Sequence, residues 1–157
     1  MSETRDVPGA PDRPERLGQL ASYLLNRIIH RYNQTLQGEL KQKGVTTITM
    51  RTVVSLKIYG ELTVNELCVH AIAEQPTMSR TLDKMEGEGL IAREISDKDQ
   101  RVRVIRLTDV GHEFYDRIWP VMTDANEALL KEVSPEDRAH LMRILMQILG
   151  NIRQNPF

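Results

Sequence analysis

Residues 75–90 read QPTMSRTLDKMEGEGL, and this stretch decides how the rest of the chain is interpreted. Pro76 suits the first turn of a helix, where its missing N–H costs little. The apolar residues form one stripe at the helical repeat of about 3.6 residues: Met78, Leu82 and Met85. Gly87 and Gly89 end the pattern. The stretch therefore predicts a helix with one buried face and one short, polar outer face.

The segments around this helix predict a winged helix-turn-helix. A capping box at Thr63 and Glu66 opens a short helix, and residues 72–74 form a turn into the helix at Gln75. Two β-rich runs follow, residues 90–96 and 101–107, with a charged turn between them. We interpret this order of elements as a DNA-reading unit.

Further helical patterns lie on both sides of this unit. A helix is predicted from Met50 to Tyr59, with Thr49 as its cap and Gly60 as its end. A longer pattern precedes it, beginning at Glu15 and reaching Gly44. Its apolar positions are spaced by three and four residues: Leu17, Leu20, Leu24, Ile28, Tyr32, Leu36 and Leu40.

Two more helices are predicted after the β-rich runs. Thr108 caps the first, which runs from Asp109 to about Glu132 and contains Pro120, a residue expected to kink it. Ser134 caps the second, and Pro135 occupies its first position. This last helix carries a strong apolar stripe: Leu141, Ile144, Leu145, Ile148, Leu149 and Ile152.

The predicted fold class is mainly α with a small β-wing, a winged helix-turn-helix flanked by long dimerisation helices. Residues 1–14 are expected to be a flexible N-terminal arm, and residues 15–157 a single regulator domain. Within that domain we assign about 15–43 and 109–153 to dimerisation and about 49–107 to DNA binding. One subunit offers few places to bury the terminal stripes, so we favour a two-fold homodimer over helices that wrap their own core.

Composition excludes several classes of protein. The 157 residues are 40% hydrophobic and 27% charged, which fits one ordinary compact domain. No apolar run approaches the roughly 20 residues that span a bilayer, and residues 1–14 lack the apolar segment of a signal peptide. A single cysteine excludes an internal disulfide framework and fits a reducing compartment, so the cytoplasm is the expected location.

The net charge of -1 does not by itself indicate a nucleic-acid-binding protein. Residues 93–106 carry five basic residues against three acidic ones, which permits phosphate contact without being diagnostic of it.

The outer face of the helix that begins at Gln75 carries the candidate base-reading residues. Its N-terminal half, the part that a helix-turn-helix usually points at bases, presents polar side chains: Gln75, Thr77, Ser79 and Arg80. Arg80 can form two hydrogen bonds to a guanine edge, and the shorter side chains can bond bases or phosphates. Lys84, one turn further, is a better phosphate candidate. The alternative is an ordinary solvated helix face.

In the charged turn, Arg101 and Arg103 have the length to follow a phosphate or enter a minor groove. Asp99 lies two residues before Arg101, where its carboxylate would orient the guanidinium rather than approach DNA itself. The alternative is a hairpin tip with charges that serve solubility.

Three segments together resemble the MarR family of bacterial transcriptional regulators: LDKMEGEGLIAR at 82–93, DKDQR at 97–101 and LTDVG at 107–111. The resemblance extends over about residues 15–153. It implies a winged-helix homodimer that binds a pseudo-palindromic operator in double-stranded DNA, usually as a repressor, and is often released by a small phenolic or other aromatic ligand. By the same match Arg101 is the family's wing-tip arginine and Asp99 the acid before it. Ser96 and Lys98 depart from the family's fuller wing motif.

Candidate ligand-binding residues are less clearly marked. Four aromatic side chains could stack on an aromatic ligand, and Arg31 could bind its carboxylate: Tyr32, Tyr59, Tyr115 and Trp119. The alternative is that these rings are core or dimer contacts. A ligand that prefers a different separation of the recognition helices would weaken DNA binding by its differential affinity for the two states.

No signature of a metal site, cofactor site or active site is apparent, so an enzyme is not expected. The four histidines are scattered, with no Cys pair to join them, and no nucleophile, base and metal converge. Cys68 sits among Leu67, Val69 and Ala71, and we favour a small buried hydrophobe over a redox sensor. The main alternative function is a winged-helix protein-interaction module that does not bind DNA.

Overall fold

The computed structural model describes residues 16–97 and 99–152. After a single 3-10 turn at Leu17–Gln19, the elements follow in this order: α1 (Ala21–Gln42), α2 (Thr47–Tyr59), β1 (Glu61–Leu62), α3 (Val64–Ala71), α4 (Gln75–Gly87), β2 (Ile91–Ile95), β3 (Arg103–Leu107), α5 (Asp109–Leu129) and α6 (Pro135–Ile152). The prediction of a mainly α chain with a small β-wing is confirmed.

The chain divides into two compact units, the first ending at Gln34 within α1 and the second beginning at Thr35. In the first unit the predicted helix starts later than expected, because Leu20 adopts an extended backbone (φ -91°, ψ 116°) between the 3-10 turn and α1. The predicted arm at 1–14 and the predicted helix start at Glu15 lie outside the described residues.

The start of α2 corrects one prediction. Thr46, not Thr49, caps this helix, because Thr46 has the extended backbone of a cap and its Oγ1 accepts the N–H of Thr49 at 3.1 Å. Thr49 is already inside the helix. The predicted end is confirmed, since Gly60 follows the helix with a φ of 80° that suits glycine.

The helix-turn-helix forms as predicted. At the start of α3, Thr63 Oγ1 accepts the N–H of Glu66 at 3.3 Å, and Glu66 Oε2 accepts the N–H of Thr63 at 2.7 Å. The turn from α3 into α4 begins at Ile72, which has a left-handed backbone (φ 55°, ψ 56°). Its N–H and that of Ala73 satisfy the last carbonyls of α3.

The core of the second unit lies beneath α4. The predicted apolar stripe of Met78, Leu82 and Met85 is buried to 1% exposure or less. It packs in a core with apolar side chains from the other elements of that unit: Leu36, Leu40, Met50, Val53, Leu56, Leu67, Ile105 and Ile118. This burial fixes α4 by its inner face and leaves its outer face to solvent.

The sheet has three antiparallel strands in the order β1-β3-β2. Both predicted strands are present, slightly shorter than expected, and the third strand was missed. β1 is only two residues long and pairs Glu61 with Arg106 and Leu62 with Ile105. A two-residue strand has no periodicity of its own, so only its pairing with β3 reveals it.

The two C-terminal helices have the predicted caps. Thr108 Oγ1 accepts the N–H of Gly111 at 3.1 Å, and Ser134 Oγ accepts the N–H of Asp137 at 3.1 Å. Pro120 lies inside α5. α5 ends at Leu129 rather than near Glu132, because Glu132 adopts a left-handed backbone (φ 67°) in the turn towards α6.

α6 has no buried residue in the single chain. Large apolar side chains on it are exposed: Met142, Ile144, Met146, Leu149 and Ile152. Among the helices formed by the described residues, none combines the length and the hydropathy needed to cross a membrane.

Candidate nucleic-acid interface

The outer face of α4 presents the four predicted base-reading side chains to solvent. Gln75, Thr77, Ser79 and Arg80 are all exposed. Within the described part of the chain, no hydrogen bond or ion pair engages the Arg80 guanidinium. Its paired N–H donors can therefore meet an acceptor pair such as a guanine edge. The base-reading role of these four residues stays a prediction.

Two contacts from α2 hold the helix-turn-helix. Arg51 Nη1 donates to the carbonyl of Ala71 at the end of α3, at 3.4 Å. Thr52 is fully buried, and its hydroxyl lies 3.9 Å from Met78 Sδ on the inner face of α4. These contacts fix the end of α3 and the buried face of α4 on one supporting helix.

Lys84, the predicted phosphate contact, lies one turn beyond Arg80 and is exposed. Its Nζ is 3.7 Å from Glu88 Oε1 within the same helical region. A solvent-exposed pair of this kind contributes little to stability. Lys84 is therefore able to exchange Glu88 for a phosphate oxygen at low cost.

The turn between β2 and β3 carries Asp99 and Arg101 in direct contact. Asp99 Oδ1 accepts the Arg101 backbone N–H at 3.0 Å, and the Arg101 Nε lies 3.4 Å from the same oxygen. The Arg101 side chain is 91% exposed. The carboxylate is thus placed to orient the guanidinium while leaving it accessible. Arg103 is exposed at the start of β3, and Lys98 lies outside the described residues.

Arg93 and Arg106, two of the basic residues in 93–106, each bind carboxylates of more than one residue. Arg93 on β2 donates from Nη2 to Asp83 Oδ1 at 2.6 Å and from Nη1 to Glu86 Oε2 at 2.5 Å. Arg106 on β3 contacts carboxylates of three residues: Glu61, Glu94 and Asp97. The bond to Asp97 and these nearby acidic charges raise the pKa of Arg106 despite partial desolvation. Among the described residues, the accessible cations of the wing are therefore Arg103 and Arg101, which pairs with Asp99 in the same turn but has a side chain that is 91% exposed.

The predicted ligand-binding aromatics fall into separate groups. Tyr115 and Trp119 are stacked on α5, with ring centroids 5.3 Å apart. Burial, and the charge of Asp116, raise the pKa of Tyr115. Tyr59 instead stacks on His70 at 4.6 Å. No ring contact joins the two groups within the described ranges.

Tyr59 also lines a shallow, open cleft of about 310 Å³ together with polar residues: Glu61, Asp97 and Arg106. Arg31 and Tyr32 lie on α1 within the first unit. Of the three predicted ligand-binding residues in the second unit, the structure thus brings Tyr115 and Trp119 together, while Tyr59 stacks on His70.

Lys57, which sequence reasoning missed, lies beside the Tyr115–Trp119 stack. Its Nζ is 5.2 Å from the centroid of the Tyr115 ring and 3.2 Å from His112 Nδ1. Lys57 is on α2 and His112 on α5, so no local pattern connects them. Two stacked rings with a cation beside them can bind an aromatic anion: the rings stack on its aromatic part and the cation pairs with its negative charge.

Cys68 is partly buried on α3, and this burial raises the pKa of its thiol. A raised pKa lowers the fraction of thiolate, the reactive form, near neutral pH. The environment of Cys68 therefore gives no support to a redox role.

The chain is similar in sequence to a known protein family and to a curated repressor. The model of the MarR family matches residues 45–102, the segment that holds the helix-turn-helix and most of the wing. The HTH-type transcriptional repressor IacR of Pseudomonas putida is 28% identical over 130 residues, which cover 83% of this chain and 78% of IacR.

Solved structures extend the likeness over nearly the whole chain. A MarR-family transcriptional regulator from Silicibacter pomeroyi is 35% identical with a TM-score of 0.83, and the match covers 90% of this chain and 96% of that one. Bordetella bronchiseptica BpsR, whose DNA binding is regulated by 6-hydroxynicotinic acid, shares the fold with a TM-score of 0.73 at 16% identity. That match covers 87% of this chain and 97% of BpsR.

Proposed function

Because the chain belongs to the MarR family of transcriptional regulators, we propose that it acts as a homodimeric repressor that a small aromatic ligand releases from a pseudo-palindromic operator. Membership in a family of transcriptional regulators also agrees with the prediction that the chain is not an enzyme. The observation that carries the proposal is the exposed polar face of α4, held by a fully buried apolar face on the opposite side.

The proposed division of labour separates base reading from phosphate binding. Arg80 reads a guanine edge in the major groove, with Gln75, Thr77 and Ser79 beside it. Lys84 binds a phosphate, and in the wing Arg101, oriented by Asp99, and Arg103 bind phosphate or a narrow minor groove. This assignment is supported by the exposure of Arg80 and Arg101.

Homodimer formation is supported by the apolar surface that the terminal helices expose. Trp119 and Leu129 of α5 and the apolar side chains of α6 are exposed in the single chain. Large apolar side chains left exposed in numbers are what an interface would cover. We propose that helices in about 15–43 and 109–153 form a two-fold dimer, with about 49–107 as its DNA-binding part. Two recognition helices about 34–36 Å apart would then match successive major grooves.

Ligand release is supported by the cluster of Tyr115, Trp119 and Lys57. Its stacked rings and ammonium suit an aromatic molecule that bears a carboxylate. BpsR, which has the same fold, is regulated by such a molecule. α5 connects this cluster to the end of β3 through Thr108, so a ligand that shifts α5 would alter the placement of α4 and the wing.

The proposal is tested by titrating a labelled duplex from directly upstream of the protein's own gene, against random DNA, at several salt concentrations. Tight binding to that duplex with a steep salt dependence is expected, because phosphate neutralisation releases counterions. Equal, weak binding to both duplexes and to a pool of random sequences would favour the protein-interaction module instead. Sedimentation of the free protein tests the dimer separately.

A further inference from the structure

Arg93 lies where the wing meets the recognition helix. Its cross-strand partner on β3 is Ile105, which is buried to 1% exposure. Because directly paired residues project from the same side of a sheet, the Arg93 side chain lies on the face that packs against the core and α4. From there its two terminal nitrogens donate separately to Asp83 and Glu86 on α4, at 2.6 and 2.5 Å. One guanidinium thus joins β2 to two carboxylates of α4.

The two carboxylates lie close to the proposed DNA-reading residues. Asp83 is three residues after Arg80, so the two side chains are neighbours on one face of the helix. The Asp83 side chain is 69% exposed and that of Glu86 is 41% exposed. Without a cationic partner, both carboxylates would present negative charge to the phosphates beside the groove that α4 enters.

We propose that Arg93 is a positioning residue for DNA binding: it neutralises Asp83 and Glu86 and holds them against the sheet, so that α4 approaches the phosphates without repulsion. Arg93 is therefore not one of the wing's phosphate-binding arginines, although it lies in the basic segment 93–106. The planar fork of arginine suits this task, because it can bond two carboxylates at once. The inference rests on the proposed function, since it presupposes that α4 binds DNA.

The test uses the full-length protein and a duplex that the wild-type protein has enriched from a random-sequence pool. Arg93→Met is expected to weaken binding to this duplex roughly tenfold, and adding Asp83→Asn with Glu86→Gln is expected to restore it to within about threefold, a coupling in the range that contacting residues show. A matched control replaces two exposed carboxylates of α5 instead, Glu113→Gln with Asp124→Asn. The control changes the net charge equally and is not expected to restore binding.

Two outcomes of the rescue experiment would overturn the proposal. The rescued variant could stay as weak as Arg93→Met while remaining folded by thermal unfolding, which would make Arg93 itself a DNA contact. Alternatively, the Asp83 and Glu86 changes could improve binding by the same factor with and without Arg93, which would make the effects additive. Arg93→Lys, which keeps the charge, is expected to retain most of the affinity, and a loss equal to that of Arg93→Met would exclude neutralisation as the cause.

Failure of the proposed function is distinguishable from failure of this inference. If the wild-type protein enriches no sequence from the pool, the DNA-binding function falls, and the role of Arg93 falls with it. If the wild type enriches a sequence and Arg93→Met binds it equally well, the regulator stands and only the role of Arg93 is wrong.

Discussion

Gly111 in the first turn of α5 lies directly against the backbone carbonyl of Leu90, the residue that leads from α4 into β2. A Cβ placed on Gly111 would be 2.0 Å from that carbonyl oxygen. Thr108, the cap of α5, also donates its N–H to the Leu90 carbonyl at 3.1 Å and its hydroxyl to the Gly89 carbonyl at 2.5 Å. The start of α5 is therefore bonded to the residues that directly follow α4.

Gly111→Ala should destabilise the fold, because the clash is with backbone that cannot rotate away. Overpacking of this kind typically costs about 1–3 kcal/mol, which chemical denaturation would measure as a lower free energy of unfolding. Gly38→Ala in α1 is the matched control, since a Cβ there meets no atom within 4 Å. Equal effects of the two changes would show that close packing at Gly111 is unimportant.

Ile72→Gly should stabilise the protein. Ile72 is β-branched, 74% exposed and held at φ 55°, so it carries the steric cost of a left-handed backbone with little burial in return. Relief of that cost, partly offset by the entropy of glycine, should raise the free energy of unfolding by about 1 kcal/mol. Ile72→Val keeps the branched Cβ and should show no gain in thermal unfolding. A melting temperature raised by valine as much as by glycine would contradict the backbone explanation.

Arg80→Ala and Arg101→Ala should affect DNA binding differently. Loss of Arg80 should cost about 1–3 kcal/mol on the selected sequence and relax the preference at one base pair. Loss of Arg101 should weaken binding to all sequences more evenly. It should also reduce the slope of log affinity against log salt concentration by about one. Fluorescence anisotropy on selected and random duplexes would separate the two patterns. Equal losses on both duplexes for both variants would refute the proposed division of labour.

Trp119 is the only tryptophan of the chain and stacks on Tyr115, so it reports on the proposed ligand site. We expect a screen of aromatic carboxylates to find compounds that quench its fluorescence and also release DNA. Lys57→Met should weaken their binding by about tenfold, as expected for loss of a charged partner. A compound that releases DNA with no change in Trp119 fluorescence would point to a different site.

Cys68 should react slowly with iodoacetamide at neutral pH. Because burial raises its pKa, less thiolate is present than in an unburied cysteine. The rate should rise as the pH increases through this raised pKa, and mass spectrometry of the intact protein would follow it. Reaction as fast as that of a cysteine-containing model peptide would restore the redox interpretation. Cys68→Ser should leave DNA binding insensitive to peroxide, whether or not Cys68 of the wild-type protein proves to be reactive.

The features that the sequence predicted correctly are those encoded by neighbouring residues. The buried stripe of α4 follows from apolar residues three and four apart, and the caps at Thr63, Thr108 and Ser134 each bond a backbone N–H three residues away. The same local reasoning misplaced the cap of α2 by three residues, because Thr46 and Thr49 offer the same chemistry. Only the backbone angles at Thr46 distinguish them.

The tertiary structure decided what depends on distant residues. Arg106 meets Glu61 across 45 positions and Lys57 meets His112 across 55, so charge counted along the chain did not reveal which cations are already paired. Pairing of β1 with β3 likewise depends on two segments brought together by the core. A sequence pattern specifies a helix, its faces and its ends because those interactions span about one turn. Which charges remain available for DNA is decided by folding, since ion pairing depends on distance in space and not on separation along the chain.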